Sequence, residues 1–127
     1  MSRALTNGIL VTVKSAYMPE RSAPTLRRFA FAYTVTIANQ GGETATLLRR
    51  HWLITDSEGE IQEVRGDGVV GEQPVLGPGE AFEYTSWCVI ATPTGSMQGS
   101  YEMQDHGGGL FDAEIAPFRL GMPHSLN

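Results

Sequence analysis

The stretch Val64-Arg65-Gly66-Asp67-Gly68-Val69-Val70-Gly71 contains a literal G-x-G-x-x-G, made by Gly66, Gly68 and Gly71. In a dinucleotide-binding fold such glycines follow a strand and open a helix, whose first amides and positive dipole end hold a pyrophosphate. A strand is plausible here in Glu60–Arg65, but the continuation is Glu72-Gln73-Pro74-Val75-Leu76-Gly77-Pro78-Gly79. Two prolines and two further glycines exclude a helix of useful length, so the dinucleotide reading fails. A smaller site needs no helix, because successive amides of a glycine-rich turn can form an anion nest. Arg65 precedes the loop, and Arg49 and Arg50 lie on a neighbouring strand able to pair with it. Three guanidinium groups there would clamp an oxyanion. The plainer reading is that the glycines end a strand and turn it, since a motif match without its flanking elements is weak.

Other residue types capable of chemistry are dispersed. His51, His106 and His124 fall on a strand, a hairpin loop and the tail, and neither H-x-x-x-H nor C-x-x-C occurs. Cys88, the single cysteine, falls on the inward phase of its strand, where a thiol is a small inert hydrophobe. No nucleophile elbow of the G-x-S-x-G type is present. These patterns nominate no catalytic residue, no metal site and no cofactor, and they point away from an enzyme. Direct divalent-cation binding is the least supported reading, because hard cations need clustered oxygens.

The elements that must position these residues are strands. In Arg28–Asn39 the large residues Phe29, Phe31, Tyr33, Val35 and Ile37 alternate with Ala30, Ala32, Thr34, Thr36 and Ala38, a period of two that buries one face. The same period runs through Ile9, Val11 and Val13; through Phe82, Tyr84, Cys88 and Ile90; through Met97, Tyr101 and Met103; and through Phe111, Ala113 and Ile115. Between them stand turns of defined chemistry: Asp56-Ser57-Glu58-Gly59 for type I, Gly77-Pro78-Gly79 for type II, Thr92-Pro93-Thr94-Gly95 for type I, and the loop His106–Gly109. Short strands, frequent turns and no capped helical stretch predict an all-β antiparallel sandwich of two sheets and about seven strands, like immunoglobulin and fibronectin type III domains.

Within that frame, Leu48, Arg50, Trp52 and Ile54 share one phase and Leu47, Arg49, His51 and Leu53 the other. Trp52 is the expected core tryptophan, and Arg50, on the same phase, should sit at a strand end or pair with a carboxylate. The face with Leu47 and His51 is too apolar to be purely solvated, so a partner, a second copy of the chain or the long loop should cover it. Trp87 points outward, where it packs against a loop or the tail or anchors a partner. Tyr101 is placed to act as a tyrosine corner, its hydroxyl bonding upstream backbone. Residues 1–127 form one domain, with a tail that frays from about residue 121.

Composition narrows the function classes. A net charge of -5 argues against nonspecific nucleic-acid or lipid binding. No run reaches the roughly 20 apolar residues of a membrane helix, no signal peptide is visible and one cysteine forms no internal disulfide; a cytoplasmic protein is expected.

The blocks RFAFAYTVTIAN, LLRRHWLITDSEG, VRGDGVVGEQPVLGPGEAFEYTS, TPTGSMQGSYEM and FDAEIAPFRL occur in an order that resembles the ApaG family from about Leu10 to Leu120. Trp87 departs from the glycine expected in many relatives. The resemblance implies a fibronectin type III-like sandwich, and the occurrence of such domains inside F-box proteins and a polymerase-delta-interacting protein implies protein–protein interaction. It also implies a link to cobalt sensitivity and magnesium efflux, a neighbouring gene for a diadenosine tetraphosphate hydrolase, and a pyrophosphate-binding role proposed for Gly66, Gly68 and Gly71. The leading expectation is a non-catalytic interaction module that takes a protein partner through one sheet face or the glycine loop.

Overall fold

The computed structural model describes residues 1–125. Nine strands follow one another: β1 (Ser2–Thr6), β2 (Ile9–Tyr17), β3 (Phe29–Asn39), β4 (Ala45–Asp56), β5 (Ile61–Asp67), β6 (Val75–Leu76), β7 (Ala81–Ile90), β8 (Thr94–Asp105) and β9 (Leu110–Gly121). Two single-turn 3-10 helices, Pro19–Arg21 and Pro24–Leu26, lie between β2 and β3. The strands form two antiparallel sheets, β1-β2-β3-β7 and β5-β4-β8-β9, with the two-residue β6 also paired to β4. This is the expected sandwich with two strands more than the period-two runs suggest. The added β1 joins β2 through Asn7-Gly8, both at positive φ (46° and 80°), a type I′ hairpin turn.

The core lies between the sheets, and the β3 alternation is realised as read: Phe31, Val35 and Ile37 are fully buried. Trp52 is 2% exposed and meets Tyr33 at 5.2 Å, Phe118 at 6.0 Å and Tyr101 at 6.3 Å between ring centroids. The two last contacts are edge-to-face, the arrangement that ring quadrupoles favour. Tyr101 is not a tyrosine corner: its hydroxyl is bonded to that of Tyr84 inside the core.

Two register shifts re-aim the second sheet. Between Leu47 and Arg49 the pairing of β4 with β8 slips by one residue, a bulge that inverts the phase of everything before it. Leu47 therefore points into the core and is 0% exposed, while Leu48 is only half-buried. The expected face of Leu47 with His51 is corrected accordingly, and Leu47 belongs to no partner surface. A second shift between β8 and β9 lets both Ile115 and Phe118 reach the core, with Pro117 between them. β9 continues to Gly121; beyond it the Met122 amide donates to the Pro93 carbonyl and the Ser125 amide to that of Met122. Residues 126–127, within the tail expected to fray, lie outside the described residues.

The sheets close on one side, where β9 packs across β1 and β2. On the other side β7 and β5 are edge strands of opposite sheets, bridged where the Gln62 side-chain amide donates to the Val89 carbonyl at 3.3 Å.

Candidate functional site at the glycine loop and the open edge

The β4–β5 hairpin brings Arg49, Arg50, Arg65 and Gly66 together, while Gly68 and Gly71 lie in the turn beyond and do not line the same cavity. Arg49 pairs with Asp67, Arg50 with Gly66 and His51 with Arg65. Arg49, Arg50, Arg65 and Gly66 line one cavity of about 570 Å³, with His51, Asp67 and Glu102. The loop beyond is built from backbone. The Gly68 amide donates to the Leu48 carbonyl at 2.8 Å, continuing the ladder, and Val69 and Glu72 exchange both bonds across a two-residue turn. The turn residues Val70 and Gly71 have φ of 43° and 82°, so this is another type I′ turn. A β-branched residue at the first of these positions is strained, and Val70 is also exposed.

Each of the first two glycines answers a close approach. A Cβ on Gly68 would lie 2.2 Å from the Glu72 carbonyl oxygen. A Cβ on Gly66 would lie 2.6 Å from the Arg50 guanidinium, which crosses the space a side chain would fill. From there Arg50 Nη1 donates to the Asp67 and Gly68 carbonyls at 3.0 and 2.9 Å. The loop thus turns carbonyl oxygens toward an internal cation, the opposite polarity to an anion nest. Arg50 was expected to sit at a strand end or pair with a carboxylate; it stands mid-strand in β4 and its partners are these carbonyls, reached because Gly66 has no side chain.

On the other face of the same hairpin every cation has an acid partner. Arg49 is bonded to Glu102 and lies 3.6 Å from Asp67. Glu63 accepts from Arg65 at 2.9 Å and contacts His51 Nε2 at 2.6 Å. The His51 hydrogen bond, then the Arg65 charge, hold the Glu63 carboxyl below its ordinary pKa. Asp67 is visible in the sequence as an acid within the loop, but Glu63 and Glu102 were missed, because only the strand register reveals which acids stand beside the arginines.

The inner face opens as a cleft of about 300 Å³ between β5 and β7, lined by Arg50, Tyr33, Gln62, Ser86 and Cys88 among others. Burial raises the Tyr33 hydroxyl pKa against the Ser86 hydrogen bond and the Arg50 charge, and burial pushes the Cys88 thiol up to about 12. Cys88 Sγ lies 3.8 Å from Met97 Sδ. Trp87, on the outer face of β7, is 51% exposed with the Arg21 guanidinium 5.6 Å from its ring, so the loop after β2 packs on it in part. Among the described residues no three His, Cys, Asp or Glu side chains are grouped to hold one metal ion, and no helix is long and apolar enough to cross a membrane.

Comparison with known proteins agrees with this architecture. Residues 19–105 match the family model described as ApaG domain. The chain is 60% identical over 127 residues, all of both chains, to Protein ApaG of Anaeromyxobacter sp. (strain K). It is 58% identical over 117 residues, 92% of this chain and 93% of the relative, to Protein ApaG of Pseudomonas aeruginosa. The crystal structure of an ApaA protein from Bordetella pertussis superposes with a TM-score of 0.90 at 48% identity, covering 96% of this chain and 99% of that one. The names of these relatives state no enzymatic activity. The chain belongs to the ApaG family.

Proposed function

We propose that this ApaG-family chain is a non-catalytic interaction module that takes an extended segment of a partner protein as an extra strand beside β7. One observation carries the reading: among the described residues, β7 alone of the four sheet edges is neither short, rich in charge, interrupted by proline nor bulged, and only its Val89 carbonyl is taken, by Gln62. Unpaired edges attract foreign strands, and proteins blunt them with shortness, charge, proline or bulges. β1 has five residues, β5 carries Glu63, Arg65 and Asp67, and β9 carries Pro117, a register shift and three charges, Asp112, Glu114 and Arg119. β7 runs ten residues in unbroken register with β3, has no proline and carries one charge, Glu83, whose carboxylate is bonded to Thr36.

Its outward polar groups follow from the pairing. The Ala30 carbonyl accepts from the Met18 amide and the Ala30 amide donates to Ser22 Oγ, so both face away from β7. Ala30 pairs with Val89, which makes Val89 and every second residue before it turn its backbone outward. Glu83, Thr85 and Trp87 thus offer amides and carbonyls to a new strand, with Trp87 as an aromatic anchor beside them. On this reading the cation link implied by the family runs through the partner. A second reading, small-anion binding at the glycine loop, is supported by the convergence of Arg49, Arg50 and Arg65 on one cavity.

Selection of peptides from a displayed random library on the full chain tests both readings. Strand addition expects binders that perturb the amides of Glu83, Thr85 and Trp87. They should be lost in Thr85→Pro, which removes an outward amide and, of the bonds to β3, only the exposed hydroxyl contact with Thr34, and kept in Thr85→Val, which removes that contact alone. Binders mapping elsewhere, or surviving Thr85→Pro, contradict it. Saturable shifts of loop amides 66–71 on adding pyrophosphate would favour the second reading.

A further inference from the structure

The Arg50 cleft opens beside the same edge, and its charge is unbalanced. Among the described residues Arg50 makes no ion pair; its bonds run through Nη1 to two carbonyls. No carboxylate lines the cleft: around Arg50 stand Tyr33, Trp52, Gln62, Ser86 and Cys88, which supply hydroxyl, amide and thiol groups and apolar walls. Asp67, Glu102 and Asp112 share the outer cavity with Arg50 but form no ion pair with it. On the cleft side, where no acid stands, a half-buried arginine bonded only to carbonyls favours an incoming carboxylate, for which its planar fork is the best-matched donor.

Position selects the source of that carboxylate. On β7 the even residues point inward, and Ser86 and Cys88 line the cleft. In a strand laid along β7, the residue opposite either of them points to the same side, over the mouth of the cleft. We infer that the Arg50 cleft is a specificity pocket for one acidic side chain, glutamate or aspartate, borne by the partner strand on β7. The inference rests on strand addition. It also sets the composition of the segment: the chain carries a net charge of -5, which repels a polyacidic partner, so the single acid sits among neutral β-forming residues.

Two synthetic peptides test this, acetyl-Thr-Val-Thr-Glu-Thr-Val-Thr-amide and its counterpart with Gln in place of Glu, titrated into the full chain with amide shifts as readout. In the wild-type chain the Glu peptide should bind about tenfold tighter or more, the ratio expected of a charge-assisted hydrogen bond. In Arg50→Gln the ratio should fall to about one, with the affinity for the Gln peptide unchanged. Should that variant fail to fold, the wild-type Arg50 Nε–H resonance replaces it, shifting with the Glu peptide and staying still with the Gln peptide. Equal binding of both peptides to the wild-type chain, or a Glu preference surviving Arg50→Gln, overturns the inference and leaves strand addition intact. Absence of binding by either peptide overturns both.

Discussion

The β4–β5 hairpin carries arginines on both of its faces, and the two faces use them in opposite ways. Outside, Arg49 and Arg65 are each matched to carboxylates, and Glu63 serves Arg65 and His51 together. Inside, Arg50 lies across Gly66, held by two carbonyl oxygens and in no ion pair among the described residues. Neighbouring residues of one strand thus sit in different electrostatic worlds, because a strand sends successive side chains to opposite sides. Counting arginines near a glycine triplet suggests one cation cluster; the pleat divides it into a surface pair matched to carboxylates and one guanidinium bonded to carbonyls.

The sharpest way to break this comparison is through the glycines. Gly68→Ala should be the most damaging, at about 3 kcal/mol, since its Cβ meets a backbone carbonyl at 2.2 Å and φ is 62°. Gly66→Ala should cost about 1–2 kcal/mol, because the obstructing atoms belong to a movable side chain whose carbonyl bonds are lost on displacement. Gly71→Ala, with φ of 82° and nothing within 4 Å, should cost about 1 kcal/mol from backbone strain alone. Urea denaturation measures the three. A reversed order would mean that the triplet is not shaped by Arg50 and the turn.

The inner face is sharpened by its thiol. With the Cys88 pKa pushed up to about 12, alkylation at pH 8 should be far slower in the native chain than in urea. The thiol's pKa is raised on folding, so its contribution to stability is complete below the ordinary value of 9.0 and is lost as pH rises toward 12. Rapid alkylation of the native chain at pH 8 would show that the cleft wall opens.

The outer face should respond least. Glu102→Gln removes an exposed ion pair with Arg49 and should change stability by at most about 0.5 kcal/mol, less in high salt. Glu63 has a lowered pKa, so its favourable interaction is present above 4.5 and is lost as pH falls through its folded value. Glu63→Gln should flatten that part of the acid-unfolding curve; an unchanged curve would mean that the His51–Glu63–Arg65 group is electrostatically idle.

Much of this fold was legible in local pattern. The alternation in Phe29–Asn39 assigns β3 and its buried face, and Gly77-Pro78-Gly79 forms the expected type II turn, closed by the Glu80 amide on the Gly77 carbonyl with Gly79 at φ 85°. Asn7-Gly8 carried the signal for β1 as well. Leu47 was misplaced because a bulge at one residue reverses a phase that sequence spacing cannot register. The convergence of the arginines followed from an adjacent-hairpin argument, whereas their acid partners depend on the β4–β8 and β4–β5 registers. Strand order hid most: nothing local to Ala81–Ile90 says that it ends a sheet, and that tertiary fact is what leaves β7 with an unpaired edge.

Amide hydrogen exchange along β7, in the full chain at two concentrations and then with a selected peptide, tests the central claim most directly. Strand addition predicts alternation in the free chain at both concentrations, with Tyr84, Ser86 and Cys88 protected and Glu83, Thr85 and Trp87 open, followed by protection of these three on adding peptide. If the three are already protected in the free chain, or stay open at saturating peptide, β7 is not a vacant edge for a partner strand.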